Sequence, residues 1–373
     1  MHDPAIEDAY LLDVLKRLLD TPSPTGMTDA AIALVCGELE VLDIPFELTR
    51  RGAIRATLSG SAPAPDRAVV GHLDTLGAMV KNIRDNGRPE VVPIGTWSAR
   101  FAEGARCTVH SERNVFRGTL LPLKASGHVY NQEVDEQPTA WTNLEVRLDA
   151  QTASREETRA LGIEIGDTIS IDPQPEFGPH GFINSRHLDD KAGVATMLAA
   201  ARAVRKENLT LPIDCHLLFT LAEEVGVGAS AVLHGDVAEL VSVDNGTIAP
   251  GQNTSTYGVT IAMQDSSGPF DWHLTRGLIG LAASYNIEHS RDVFRYYRSD
   301  AASAMEAGND IRAALVCFGL DASHGWERVH EQSLFALARL LALYMQSEPL
   351  FSRDQQVLGP VGDLPAGDVG AQS

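Results

Sequence analysis

Residues 217–230, LLFTLAEEVGVGAS, run an apolar stretch into two adjacent glutamates, Glu223 and Glu224, and then into a glycine-rich turn. Two carboxylates side by side repel, and neither buries cheaply without compensation. Other acids and histidines sit in similar places, where apolar runs give out. They are His72 and Asp74 in VVGHLDTLG, Asp189 and Asp190 in SRHLDDKAG, Asp244 in VSVDNG and His324 in GLDASHGWE. Two imidazoles with several carboxylates form a donor set that suits Zn²⁺, Co²⁺ or Mn²⁺ better than a thiolate-loving metal. A cation would also remove the repulsion between the paired glutamates. One of them can ligate while the other stays free as a general base towards a water that the metal acidifies.

Each residue has a plainer reading. A GluGlu pair is usually a solvated face, His72 alone could be a satisfied core histidine, and Asp244-Asn245-Gly246 is turn-like in composition. Asp190 could be an N-cap for the helix that follows it. The tripeptide HLD recurs at 72–74 and 187–189, which makes His187 a rival to His72. The ordered set carries the reading, not any single member.

Elements of an α/β protein must position these groups. Leu11, Leu12, Val14, Leu15, Leu18 and Leu19 follow helical spacing, and TPSPTG ends that helix. A second helical pattern covers about 29–42, and RAVVGHLDT predicts a buried strand over 66–74 behind a proline-rich turn. Between about 76 and 181 the texture changes to short β-like runs (EVVPIGTW, NVFRGTLLPL, NLEVRLDA, DTISIDP) separated by turn residues, with one short helix at ASREETRALG. This predicts an inserted β domain within a catalytic domain made of 1–75 and 182–350, followed by a tail over 351–373. After the insert, an amphipathic helix over 191–205 precedes strands at DCHLLFTLA, ELVSVD, YGVTIAM and RAALVCF, and EQSLFALARLLALYM forms a last long helix. In an open α/β sheet the carboxyl ends of strands converge on one crevice, which would bring the acids and histidines together.

The 373 residues include 50 acidic and 30 basic side chains, for a formal charge of −20. That balance argues against nucleic acid or an anionic membrane as partner, since both need a basic footprint. Cys36, Cys107, Cys215 and Cys317 form no CxxC, and Cys215 and Cys317, inside apolar stretches, read as inert buried thiols. No signal-like leader or membrane-spanning run is evident, so a cytoplasmic location is expected.

The order His, Asp, GluGlu, Asp, His, carried by GHLDT, LDDKAGVA, EEVGVGA, VDNG, SDA at 299–301 and SHGWE, resembles the co-catalytic di-metal aminopeptidases of the tetrahedral-aminopeptidase and glutamyl-aminopeptidase family. The likeness runs over nearly the whole chain. It implies a mixed α/β sheet with helices on both faces and an inserted small β-barrel-like domain. It further implies that His72 and Asp244 hold one metal, Glu224 and His324 hold the other, and Asp189 bridges them. Glu223 would be the general base and Asp74 the carboxylate that orients His72. Two divalent ions per chain are implied, Zn²⁺ or Co²⁺ first and Mn²⁺ next, with a short peptide as substrate. The insert would build homo-oligomers, from dimers to a tetrahedral dodecamer. GHLDT and the lysine of LDDK lean towards related carboxypeptidases and deacylases, and the pattern also resembles a subgroup associated with an N-acetylated dipeptide osmoprotectant. A scaffold that has lost turnover is a third possibility, disfavoured by the retention of Glu223 beside all five candidate ligands.

Overall fold

The computed structural model describes residues 1–349; the expected tail over 351–373 lies outside them. The helix Asp8–Asp20 buries Leu11, Val14, Leu15, Leu18 and Leu19 along one stripe, as their spacing dictates. A second helix spans Asp29–Val41. Four parallel strands form the middle of a mixed sheet that has twelve strands among the described residues. In spatial order they are Ile213–Thr220, Ala62–His72, Val237–Ile248 and Arg312–Asp321. Val, Leu, Ile, Ala and Phe fill these strands because both faces are covered. Antiparallel strands flank them, Ile54–Leu58 beside Ile213–Thr220 and Val259–Asp265 beside Arg312–Asp321.

Helices cover both faces. Val316, Phe318 and Leu320 point into the large core shared with Leu188–Lys206 and Glu331–Gln346, whereas Leu315 and Cys317 pack with Ala301 of the helix Asp300–Glu306 on the other face. The expected strand over 66–74 begins earlier, at Ala62, and ends at His72, so Asp74 lies just past it. The helix expected to be amphipathic over 191–205 has no solvent stripe along most of its length. Every residue from Leu188 to Ala201 is buried, because the helix is packed between the sheet and the helices Asp8–Asp20 and Glu331–Gln346. Gly193 leaves room for the Asp190 carboxylate, which an added Cβ would meet at 2.1 Å.

The inserted segment closes into a six-stranded barrel, Gly77–Ile83, Pro89–Ile94, Leu144–Leu148, Val115–Pro122, Arg106–His110 and Thr168–Ile171. Alternate residues, among them Val80, Val91, Cys107, Val109, Val146 and Ile169, fill its interior as a core of its own. Beyond Ile171 the chain rejoins the large sheet through Glu176–Phe177 and Phe182–Ser185. No helix among the described residues is long and apolar enough to cross a membrane.

Candidate metal centre

The parallel strands deliver their ends to one place. His72 is the last residue of its strand and is in register with Thr220, after which the chain turns to present Glu223 and Glu224. Gly226, at φ +81°, makes that turn in a conformation other residues rarely adopt. Asp244 comes from the next strand and His324 from the turn after Asp321. Asp189 lies at the start of the long buried helix, where it and Asp190 are both non-helical and regular helix begins at Lys191. The turn expected at Asp244-Asn245-Gly246 is absent: the strand continues to Ile248, with Gly246 beside Gly319 of the neighbouring strand. Turn-like composition yields here to pairing on a sheet that is already in place.

Asp189 sits at the centre. Its Oδ1 lies 3.2 Å from His72 Nε2 and its Oδ2 lies 3.4 Å from His324 Nε2. Glu224 Oε2 is 3.5 Å from His324 Nε2, and Glu223 Oε2 is 3.8 Å from His72 Nε2. Donor atoms of His72, Asp189 and Glu224 all fall within 4.8 Å of one another, and so do those of His72, Glu223 and Asp244. The structure therefore brings together all six groups that the sequence singles out, with Asp74 behind them.

Both imidazoles are aimed by their second nitrogen. His72 Nδ1 is 2.9 Å from the Asp74 carbonyl oxygen and 3.5 Å from Asp74 Oδ1. His324 Nδ1 is 2.9 Å from the carbonyl oxygen of Thr96, a residue of the barrel segment. A carbonyl oxygen only accepts, so Nδ1 carries the proton in each ring and Nε2 faces the cluster. Asp74 is itself fixed, accepting the Thr25 hydroxyl at 2.7 Å and the Glu223 amide at 3.2 Å.

Several contributors are not visible in the sequence reading. The buried carboxylate of Glu327 accepts the amides of Leu188 (2.7 Å), Asp189 (3.3 Å) and His324 (2.9 Å), tying two site segments together. Asn245 Nδ2 donates to Asp189 Oδ2 at 2.8 Å. Asp300 accepts the Thr220 hydroxyl and the Ala229 amide, holding the strand end behind the glutamate pair. The motifs SHGWE, VDNG and SDA contained these residues without indicating their tasks.

Two rivals fall away. His187 is buried with Nε2 on the Ile171 carbonyl oxygen at 3.1 Å, and burial, helped by Lys191, pushes its pKa down to about 3. Asp190 accepts the His72 amide at 3.1 Å through Oδ2, while its Oδ1 has no hydrogen-bond partner among the described residues. It secures the strand end and makes no capping bond. Lys191 turns away to donate to the Thr21 carbonyl at 2.6 Å, and burial brings its pKa down to about 7.

The cluster carries more negative charge than its surroundings balance. Burial raises Glu223 well above the usual carboxylate range, and pushes Glu224 and Asp244 up to about 8. Asp189 is held low: burial opposes its charge, but hydrogen bonds from His324 and His72 prevail. Burial likewise opposes the charge on His324, yet Asp189 and Glu224 bring it up to about 10. Among the described residues no lysine or arginine pairs with Asp189, Glu223, Glu224 or Asp244. Buried carboxylates with inward-facing imidazole nitrogens and no resident counter-ion fit divalent cations. The groups open onto a cavity of about 900 Å³, whose other walls are Gly95 and Thr96 of the barrel segment and residues 294–298.

Known proteins are similar to this chain in sequence and in fold. The profile of the M42 glutamyl aminopeptidase family matches residues 52–340. A Bacillus subtilis (strain 168) protein named "Putative aminopeptidase YhfE" is 37% identical over 337 residues, covering 90% of this chain and 97% of the relative. Among solved structures, aminopeptidase APDkam598 from the archaeon Desulfurococcus kamchatkensis has the same fold, with a TM-score of 0.84 at 22% identity over 95% of this chain and 99% of that one. So does the Pyrococcus horikoshii TET1 peptidase, described as assembling into a tetrahedron or a large octahedral shell, with a TM-score of 0.80 at 19% identity over 90% and 99% of the two chains. The chain belongs to the M42 glutamyl aminopeptidase family, and is a metallo-aminopeptidase.

Proposed function

We propose that this enzyme removes the N-terminal residue from short peptides at a centre for two divalent cations, with Glu223 as general base. The observation that carries the reading is the placement of Asp189, whose two oxygens each face a different imidazole. His72 and Asp244 would hold one ion, His324 and Glu224 the other, and Asp189 both. When bound, such ions polarise a scissile carbonyl and make water a competent nucleophile near neutral pH. Zn²⁺ or Co²⁺ suits this donor set first, and Mn²⁺ next.

Glu223 is the carboxylate left over. It takes a proton from the attacking water as the oxygen bonds to the carbonyl carbon, then returns that proton to the departing nitrogen as the C–N bond breaks. Its burial and the neighbouring Asp244 favour holding that proton between the two steps. Asp74 keeps the His72 ring oriented and, through the Glu223 amide, fixes the base relative to it. A free α-amine is a cation, and the acidic wall of the cavity suits it.

A second reading, removal of an acyl group or of a C-terminal residue, draws on Arg295 and Arg298, which also line the cavity. Paired kinetics on one dipeptide amide, with its N-terminus free and acetylated, decide between them. The free form is expected to be the substrate; faster cleavage of the acetylated form would overturn the aminopeptidase direction and favour an N-acyl or osmoprotectant dipeptide.

The barrel is the proposed oligomer contact, with residues 1–75 and 182–350 as the catalytic body. Exposed apolar side chains on the insert, Val115, Val129 and Ile165, are groups that a partner copy would cover. Light scattering on a protein lacking residues 76–181 tests this by mass, and an assembly of undiminished size would argue against it. The four free thiols suit a reducing, cytoplasmic setting.

A further inference from the structure

The lining of the catalytic cavity carries both signs of charge: Asp189, Glu223, Glu224 and Asp244 share it with Arg295 and Arg298 of the segment 294–298. Arg298 is already paired, its Nη2 2.7 Å from Glu306 Oε2. Arg295 is exposed and has no hydrogen bond or ion pair among the described residues. It also lines a second cavity of about 480 Å³ that shares Gln252 and Arg295 with the first. The nearby acid does not claim it. Asp292 is buried and its Oδ2 accepts the Asn253 amide (2.8 Å), the Thr254 hydroxyl (2.9 Å) and Gln252 Nε2 (3.2 Å). The backbone that displays Arg295 is anchored, since Phe294 is buried in the small core with Ala301, Leu315 and Cys317 and its amide donates to the Gln264 carbonyl at 3.0 Å.

We propose that Arg295 reads a substrate carboxylate, and that the preferred substrates are therefore short peptide acids. The inference rests on the aminopeptidase reading of the same cavity. A guanidinium without a partner, on a fixed backbone, is suited to the two-point recognition of a carboxylate. The cavity lies near the upper end of the size range of small-ligand sites, roughly 300–1,000 Å³, which leaves room for the residue beyond the scissile bond. With the amine drawn to the acidic wall and the carboxylate to Arg295, the opposite charges of a dipeptide match those of the site. The carboxylate is that of the peptide's C-terminus.

The test uses zinc-reconstituted protein and three probes: leucyl-glycine, leucyl-glycinamide and glutamyl-glycinamide. Arg295→Gln is compared with wild type and with Arg113→Gln, which removes the same charge from an exposed hairpin of the barrel. For Arg295→Gln the ratio of kcat/KM for leucyl-glycine over leucyl-glycinamide is expected to fall roughly ten-fold or more, chiefly through KM, the size of a lost charge-assisted pair. Arg113→Gln should leave that ratio unchanged. If the fall appears for glutamyl-glycinamide instead, the carboxylate that Arg295 reads is that of the first side chain, and the proposal is overturned. If neither acidic probe loses ground against leucyl-glycinamide, the proposal is overturned. Should the wild type cleave none of the probes, the aminopeptidase reading fails and calorimetric binding of leucyl-glycine decides the matter. Weaker binding to Arg295→Gln than to wild type supports the carboxylate site, and equal binding refutes it.

Discussion

The large sheet and the barrel are both strand assemblies with apolar interiors, yet they treat charge in opposite ways. The barrel core is mainly apolar, and its charged pairs reach the surface on at least one side, as in Arg117–Asp172, Arg106–Asp149 and the buried Glu145 with the part-exposed Arg84 and Arg88. The sheet buries His72, Asp74, Asp189, Asp190, Asp244, Asp300 and Glu327 almost completely. Topology accounts for the contrast. A closed antiparallel barrel directs alternate side chains to its interior or to its outside, and its strands have no common end that needs polar groups. Parallel strands covered on both faces have polar positions chiefly at their carboxyl ends, and there four of them converge. Reactive groups thus gather where the sheet ends, and the barrel can stay chemically inert.

The largest expected effect falls on the sheet side. Glu223→Gln should retain metal while kcat drops by roughly 10²–10⁴-fold, the usual contribution of a general base. Glu224→Gln should instead weaken metal binding, measured by elemental analysis after dialysis. Exchanged phenotypes would reverse the assignment of the pair.

Metal content comes next. Wild type should plateau at two ions per chain and His72→Ala at fewer, whereas Leu120→Ala in the barrel core should keep both. A wild-type plateau at one ion, unmoved by His72→Ala, would remove the two-ion assignment. Leu120→Ala should nevertheless cost about 2–5 kcal/mol of stability, read from denaturant unfolding.

The pH response of metal-free protein separates the regions further. Glu224, Asp244 and Glu327 have folded pKa values near 8, above those of an unfolded chain, and His324 is near 10. In each case the folded state binds the proton more tightly. Their contribution to stability is fully present below the unfolded pKa and is lost as pH rises through the folded value. Thermal scans of stripped protein should therefore show a melting temperature that declines from about pH 5 to pH 8, above which Lys191, brought down to about 7 by burial, opposes the loss from His324; metal should flatten the decline. A metal-free protein that gains stability from about pH 5 to pH 8 would contradict the charge balance described for the site. The smallest effect belongs to the barrel surface: Arg117→Ala should change stability by about 1 kcal/mol or less.

Much of this was legible from the residue pattern because apolar runs mark buried strands, and acids at the ends of such runs have few structural uses. His72, Asp189, the glutamate pair and His324 all declare themselves in that way. Asp244 was legible as a candidate but not as part of a continuing strand, since a DNG tripeptide does not reveal that Gly246 lies beside Gly319. Glu327 stayed hidden because its partners are backbone amides, which every residue but proline offers. The two arginines in FRYYR are alike in sequence, whereas the structure pairs Arg298 with Glu306 and leaves Arg295 open. The helix over 188–206 was legible as a helix, but its burial on every side depends on neighbours distant in sequence.

The hydrogen bond from His324 to Thr96 has a consequence for how such chains diverge. The acceptor is a main-chain oxygen, so any side chain at position 96 can serve, provided the loop keeps its shape. Shape is the concern of Gly95, whose φ is +80° and where an added Cβ would meet Leu76 Cδ2 at 2.5 Å. Among relatives that keep His324, position 95 should tolerate almost no replacement while position 96 drifts freely. The barrel as a whole can then be rebuilt for new assemblies, so long as this one corner returns to the same spot.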